Sequence, residues 1–217
     1  MTIDDSRQIF TMLEQLYFIS QQAAGKTHCD SLHEALDAGC RLVQLRIKEQ
    51  PEAVVLKQAI EAKTLCDLYH AKLVINDFPQ VAKTVGAWGV HVGLQDMPIA
   101  EVRGITGNNI IIGGTANTFA DVQQRAQEGV DYIGLGPYRF TTTKQKLSPV
   151  LGLEGYQQIL SAMRAAGIRI SIVAIGGIVP GDVKGLLEAG VQSIAMSGAI
   201  TNAHNRKEIV EALMISN

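Results

Sequence analysis

The chain has 217 residues, 47% of them hydrophobic and 18% charged, with a formal net charge of −2. That is apolar material for one large core, and the absence of a clustered Lys/Arg run excludes the electrostatic footprint that a nucleic-acid surface requires. No apolar stretch approaches the roughly 20 residues of a membrane helix; with acids in the opening MTIDDSRQIFTMLE and three cysteines, Cys29, Cys40 and Cys66, that fit no CxxC or zinc spacing, the expectation is a cytoplasmic protein with reduced thiols.

Residues 1–14 are expected to form a short extra helix. After them, β-branched runs recur in order: LYFIS (16–20), LVQLRIK (42–48), KLVIND (72–77), GVHV (89–92), NIIIGGT (109–115), DYIGLGP (131–137), ISIVAIGG (170–177) and SIAMSG (193–198). Helix signals lie between them. Asp30-Ser31 precedes LHEALDAG, and prolines 51, 79 and 180 open helical segments; several of the segments between strands stop on a glycine, as at Gly39, Gly129, Gly167 and Gly190. Eight strands alternating with helices imply a parallel sheet closed into an α/β (β/α)₈ TIM barrel, one domain over residues 1–217. A doubly wound open sheet usually has fewer strands at this length, and the first βα turn, SQQAAGK, lacks the GxGxxG fingerprint.

In such a barrel the reactive groups sit at the C-terminal ends of the strands. Along LVQLRIK the apolar Val43, Leu45 and Ile47 alternate with Gln44, Arg46 and Lys48, so a period of two sends all three polar groups into the barrel mouth. Two cations there need negative partners, either internal carboxylates or a bound anion, and the strands offer few acids besides Asp77 and Asp131. Asn76-Asp77 ends the third strand and Asp96 follows the fourth. Each aspartate precedes a proline and reads either as a helix cap or as a ligand of a Mg²⁺ that bridges a diphosphate. His91 reads as a satisfied barrel histidine.

Thr115 stands at the rim of the fifth strand. The sixth runs into GLGPYRFTTTK (134–144), where Thr141, Thr142, Thr143 and Lys144 sit on a loop long enough for a lid. At the seventh and eighth strand ends, Gly177, Ser197 and Gly198 suit a phosphate held by backbone N–H groups, although Gly176-Gly177 also reads as a simple tight turn. One cluster suits a diphosphate and the other a monophosphate. Two phosphorylated small-molecule substrates are the natural inference, with no nucleic acid and no membrane partner; self-association into a homo-oligomer stays open.

With QLRIK (44–48), IND (75–77), HVGLQDM (91–97), GPYRFTTTK (136–144), AIGGI (174–178) and IAMSGAI (194–200) in order on the expected strand ends, the sequence resembles the thiamine-phosphate synthases over essentially its whole length. The resemblance implies a transferase that joins hydroxymethylpyrimidine diphosphate to a (carboxy)thiazole phosphate with Mg²⁺, releasing diphosphate. It implies that Gln44, Arg46, Lys48, Asn76, Thr115 and Lys144 hold the pyrimidine diphosphate, with Arg46, Lys48 and Lys144 neutralising the leaving group. Asp77 and Asp96 would hold the metal, and Thr141 to Thr143, Gly177, Ser197 and Gly198 the thiazole phosphate. Where the family often has serine at 115 and 198, glutamine at 94 and proline at 140, this chain has Thr115, Gly198, Leu94 and Phe140. The alternatives are a thiazole tautomerase, which has no use for a diphosphate-binding metal, and a non-catalytic phosphate-sensing barrel, which would bind the ligands without turnover; Arg46, Lys48, Asp77, Asp96 and the T-x-T-K stretch together favour the synthase.

Overall fold

The computed structural model describes residues 13–22, 25–140 and 149–215. Eight strands, β1 (Leu16–Ile19), β2 (Leu42–Leu45), β3 (Lys72–Asn76), β4 (Gly89–Val92), β5 (Ile111–Ala116), β6 (Tyr132–Leu135), β7 (Ser171–Ala174) and β8 (Ser193–Met196), pair in chain order. All pairs are parallel, and β8 returns to β1 in the register Tyr17↔Ala195, which closes the barrel. The helices that alternate with them are α1 (His28–Asp37), α2 (Glu52–Leu68), α3 (Pro79–Val85), α4 (Ile99–Thr106), α5 (Phe119–Glu128), α6 (Gly152–Ala165) and α7 (Val183–Ala189). A single-turn α8 (Gly198–Thr201) and a terminal α9 (Arg206–Ile215) follow β8.

The helices start and stop for local reasons. Thr27 caps α1: its hydroxyl accepts from the Asp30 N–H at 3.1 Å, and the Asp30 carboxylate accepts from the Thr27 N–H at 2.8 Å. Asp30, expected at the helix start, is therefore the third helical residue of a capping box, and Thr27 is the cap. Thr118 and Asp121 repeat the device on α5. Each such cap is worth about 0.5–2 kcal/mol. α3 opens on Pro79 and ends at Gly86, whose φ of 63° lies in the left-handed region.

The expected alternation of β2 holds. Val43, Leu45 and Ile47 pack into the shell between barrel and helices beside Leu32 and Ala59, while Leu42 packs with Tyr17, Val74, Tyr132 and Val173 in the interior. Truncating one of these filled positions, such as Leu32, to alanine would cost about 2–5 kcal/mol. β2 ends at Leu45, three residues short of the expected Lys48. The Arg46 N–H leaves the ladder and donates to Ser20 Oγ at 3.0 Å instead. Leu13 closes the interior below β1, and Glu14 pairs with Lys72 at 2.9 Å. The extra helix expected over 1–14 falls outside the described residues apart from Leu13 and Glu14, which are not helical. Thr141, Thr142, Thr143 and Lys144 also lie outside them.

Candidate active site

The acids and cations expected at the mouth do meet. Lys48 forms an ion pair with Asp77, whose side chain is 17% exposed against 44% for the lysine. Asp96 lies close enough to interact directly with Asp77. Burial pushes the Asp77 carboxyl above its usual range, the Lys48 hydrogen bond opposes this, and Asp96 adds to it. Arg46 is half-buried; burial draws its pKa down while Asp77 and Asp96 pull it back. The internal ion-pair reading thus holds for Lys48 in this state. Asp131, the other acid considered, is engaged elsewhere, with Arg103 at 2.8 Å and the Ile112 N–H at 2.7 Å.

Neither aspartate caps a helix. Phe78 and Pro98 occupy the cap positions of α3 and α4, and among the described residues no side chain caps either helix start. Asp77 takes φ 66°. Asp96 Oδ2 accepts from the Gly93 N–H at 2.7 Å, and a Cβ at position 93 would stand 2.5 Å from that oxygen, so the glycine is what permits this approach. The Gly93 carbonyl accepts in turn from Arg125 of α5 at 2.8 Å, and the same buried guanidinium donates to the Thr115 carbonyl at 3.1 Å. One arginine therefore fixes both the Asp96 turn and the end of β5.

Asn76 is 6% exposed and its Nδ2 has no partner among the described residues. A buried donor left unpaired costs about 1–3 kcal/mol, which an acceptor on a bound molecule would recover. Thr115 Oγ1 lies 3.0 Å from His91 Nε2, and the Gln44 amide donates to Tyr17 at 2.7 Å. His91 is the satisfied barrel histidine expected, bonded on its other nitrogen to Tyr132 at 3.2 Å.

A cavity of about 330 Å³ opens between the ends of β1, β2, β7 and β8, lined by Arg46, Gly177, Ser197 and Gly198 together with Ser20, Gln21 and the apolar Ile175, Ile178 and Met196. It gathers the three monophosphate candidates and joins them to the diphosphate cluster through Arg46. Gly176 has φ 99°, and a Cβ there would lie 2.7 Å from Pro137, so this glycine is needed for close approach of the β6 and β7 turns. The tight-turn reading is correct for it.

Ser20 and Gln21 were not singled out by the sequence; their SQQAAGK turn matched no motif. Gln21 Oε1 accepts from Ser197 Oγ at 3.1 Å, and Ser20 Oγ sits 3.0 Å from His28 Nδ1. Burial, with help from Arg46, lowers the His28 pKa. Arg139, in GLGPYRFTTTK, is held by Asp182, 43 residues on: Nη2 donates to Oδ1 at 2.6 Å, and Nη1 to Oδ2. It clips the β6 end to the turn after β7. Phe140 is exposed.

The class is a (β/α)₈ barrel with its acids, cations and cavity gathered at the C-terminal mouth. A sequence model described as thiamine monophosphate synthase matches residues 16–200, and the chain belongs to that family. It is 48% identical over 199 residues to a thiamine-phosphate synthase of Bacteroides fragilis, covering 92% of this chain and 98% of the relative. It is 50% identical over 189 residues to that of Phocaeicola vulgatus, covering 87% and 91%. Among solved structures, thiamine phosphate pyrophosphorylase from Pyrococcus furiosus superposes with a TM-score of 0.79 at 32% identity, covering 92% of this chain and 93% of the other. No helix among the described residues is long and apolar enough to cross a membrane.

Proposed function

We propose that this protein, a transferase of thiamine biosynthesis by its family, joins hydroxymethylpyrimidine diphosphate to thiazole phosphate at the mouth described above, releasing diphosphate. The observation that carries this reading is the juxtaposition of a half-buried cation and an acidic pair with a glycine- and hydroxyl-lined cavity. In this reading the two adjoin at Arg46, with the acidic pair and cations for a diphosphate and the cavity for a monophosphate.

Mg²⁺ fits the donor set. Asp77 and Asp96 offer carboxylate oxygens side by side, neither consumed by a helix cap, and a carboxyl pushed up by burial and a like-charged neighbour is stabilised by a cation. Among the described residues no group of three or more His, Cys, Asp or Glu gathers as a fuller metal cage, and Mg²⁺ is commonly held by one or two carboxylates plus phosphate oxygens. When bound, it would neutralise charge on the diphosphate oxygens.

The chain's own residues do the rest. Asn76 and Thr115 would hydrogen-bond the pyrimidine diphosphate, with Gln44 on its ring. Arg46 and Lys48 would stabilise the negative charge that grows on the diphosphate as its bond to the pyrimidine methylene carbon breaks. A cation fixed in a partly desolvated site is worth more there than in water. Gly177, Ser197 and Gly198 would anchor the thiazole phosphate, so that the thiazole nitrogen is positioned to attack the methylene carbon. Lys144 and Thr141 to Thr143 would complete these contacts. No side-chain nucleophile enters the scheme. The test is to supply both substrates with Mg²⁺ and follow thiamine phosphate and diphosphate, with EDTA as control. Metal-dependent formation of both products is expected; tight binding of thiazole phosphate without product would overturn the proposal.

A further inference from the structure

Beneath the mouth, a run of polar side chains crosses the barrel interior from β2 to β5. Gln44 Nε2 donates to the Tyr17 hydroxyl at 2.7 Å, and the Tyr17 and Tyr132 hydroxyls are 3.2 Å apart. The Tyr132 hydroxyl lies 3.2 Å from His91 Nδ1, and His91 Nε2 lies 3.0 Å from Thr115 Oγ1. All but Thr115 are buried. The strands make room for this run. A Cβ at Gly113 would stand 2.2 Å from Tyr132 Cζ and 2.5 Å from His91 Nδ1, and one at Gly134 would stand 2.9 Å from His91 Cε1. Two interior strand positions are glycine, which weakens a strand, and the ring pair occupies the space they leave.

Tyr17 and Tyr132 are buried, so each gives its one hydrogen to a neighbour within the run, and that gives the run a direction. With the Gln44 amide N–H given to Tyr17, the Tyr17 proton goes to Tyr132 and the Tyr132 proton to His91 Nδ1. His91 is then a neutral imidazole protonated on Nε2, donating to Thr115 Oγ1. The hydroxyl proton of Thr115 is left to point outward, and Gln44 keeps its carbonyl oxygen for a ligand. We propose that Tyr17, Tyr132 and His91 are positioning residues that couple the two ends of this run, holding Gln44 as an acceptor and Thr115 as a donor toward the bound pyrimidine diphosphate.

Turning the Gln44 amide over would reverse every bond in the series, leaving Gln44 a donor and Thr115 an acceptor. The two ends therefore change together. The pattern in this structure selects a ligand that presents a donor, such as an exocyclic amine, to Gln44 and an acceptor, such as a ring nitrogen or phosphate oxygen, to Thr115. The ligand assignment rests on the proposed function; the direction of the run does not.

Two measurements separate these. In the ligand-free full chain, the ¹⁵N–¹H imidazole spectrum of His91, identified by its disappearance in His91→Gln, is expected to show one neutral tautomer protonated on Nε2. Protonation on Nδ1, or a mixture of tautomers, overturns the proposal whether or not the protein has synthase activity. Tyr132→Phe keeps the ring and removes the link. It is expected to mix the His91 tautomers and raise KM for the pyrimidine diphosphate about tenfold, the size of one buried hydrogen bond lost, with KM for thiazole phosphate unchanged. Equal effects on both KM values, or none, would show that the tyrosine serves packing alone. Tyr17→Phe breaks the run one link earlier and is expected to act in the same way, which keeps the test decisive if Tyr132→Phe folds poorly.

Discussion

Asp77→Asn distinguishes a ligand-holding aspartate from a structural one. Asp77 does not cap α3, and its one ion pair among the described residues is with Lys48, which is 44% exposed. Such a pair contributes about 0.2–1 kcal/mol. Against that stands the cost of keeping a carboxylate partly buried beside Asp96, which asparagine removes. Because the two effects oppose, and 1 kcal/mol moves the melting point of a chain this size by about 2–4 °C, the variant is expected to melt within about 4 °C of the parent at neutral pH. Asparagine is the right replacement because φ at position 77 is 66°, a region it tolerates; alanine would add about 1–2 kcal/mol of backbone cost and confuse the comparison.

The pH dependence has a definite sign. The folded-state pKa of Asp77 is raised, so its contribution to stability is fully present below the ordinary aspartate value of about 3.9 and is lost as pH rises through the folded value. The melting point of Asp77→Asn relative to the parent should therefore rise from pH 4 toward neutrality. Turnover should fall by about 10²–10³-fold, as for other fixed groups that stabilise developing charge, and Mg²⁺ with diphosphate should raise the melting point of the parent alone. Parental turnover in the variant would refute the ligand role. A large melting-point loss at every pH would make Asp77 structural.

Asn76→Ala should lower kcat/KM about tenfold with little change in urea midpoint, because Nδ2 has no partner among the described residues to lose. Gly113→Ala drives a Cβ to 2.2 Å from Tyr132 and should cost at least about 1–3 kcal/mol in urea unfolding. Gly198→Ser, whose added Cβ meets nothing nearer than 3.6 Å, should stay within about 0.5 kcal/mol of the parent by the same measurement. Burial pushes the thiols of Cys29, Cys40 and Cys66 up to about 12. A thiol reagent at pH 7.5 should leave the native protein unlabelled, and should modify all three cysteines in denaturant.

The sequence revealed what period and punctuation encode. Eight strand runs were visible because β-branched segments alternate with capped helices, and the inward turn of Gln44, Arg46 and Lys48 followed from a period of two. What it hid were partnerships between distant residues. Arg139 has no acid near it in the chain, yet the fold brings Asp182, 43 residues on, to its guanidinium. Asp30 looked like the start of α1 because Asp is a common cap, whereas Thr27 lies three residues earlier and makes Asp30 the reciprocal member of the box. Ser20 and Gln21 carry no motif, and only closure of β1 against β8 brings Gln21 to Ser197.

Arg125 shows how positioning can be invisible at the strand ends themselves. It sits on a helix, where an arginine ordinarily reads as a solvated charge, yet it is 3% exposed. Its planar fork suits two carbonyls in different directions. It reaches Gly93 on one side and Thr115 on the other, and its Nη1 donates to Glu128 Oε2 at 2.6 Å. The Gly93 N–H in turn holds Asp96. A mouth made of turns from separate strands has no ladder to fix those turns relative to one another. Here a guanidinium from the helix layer binds the β4 and β5 turns together, so that Asp96 and Thr115 keep a fixed separation on either side of it.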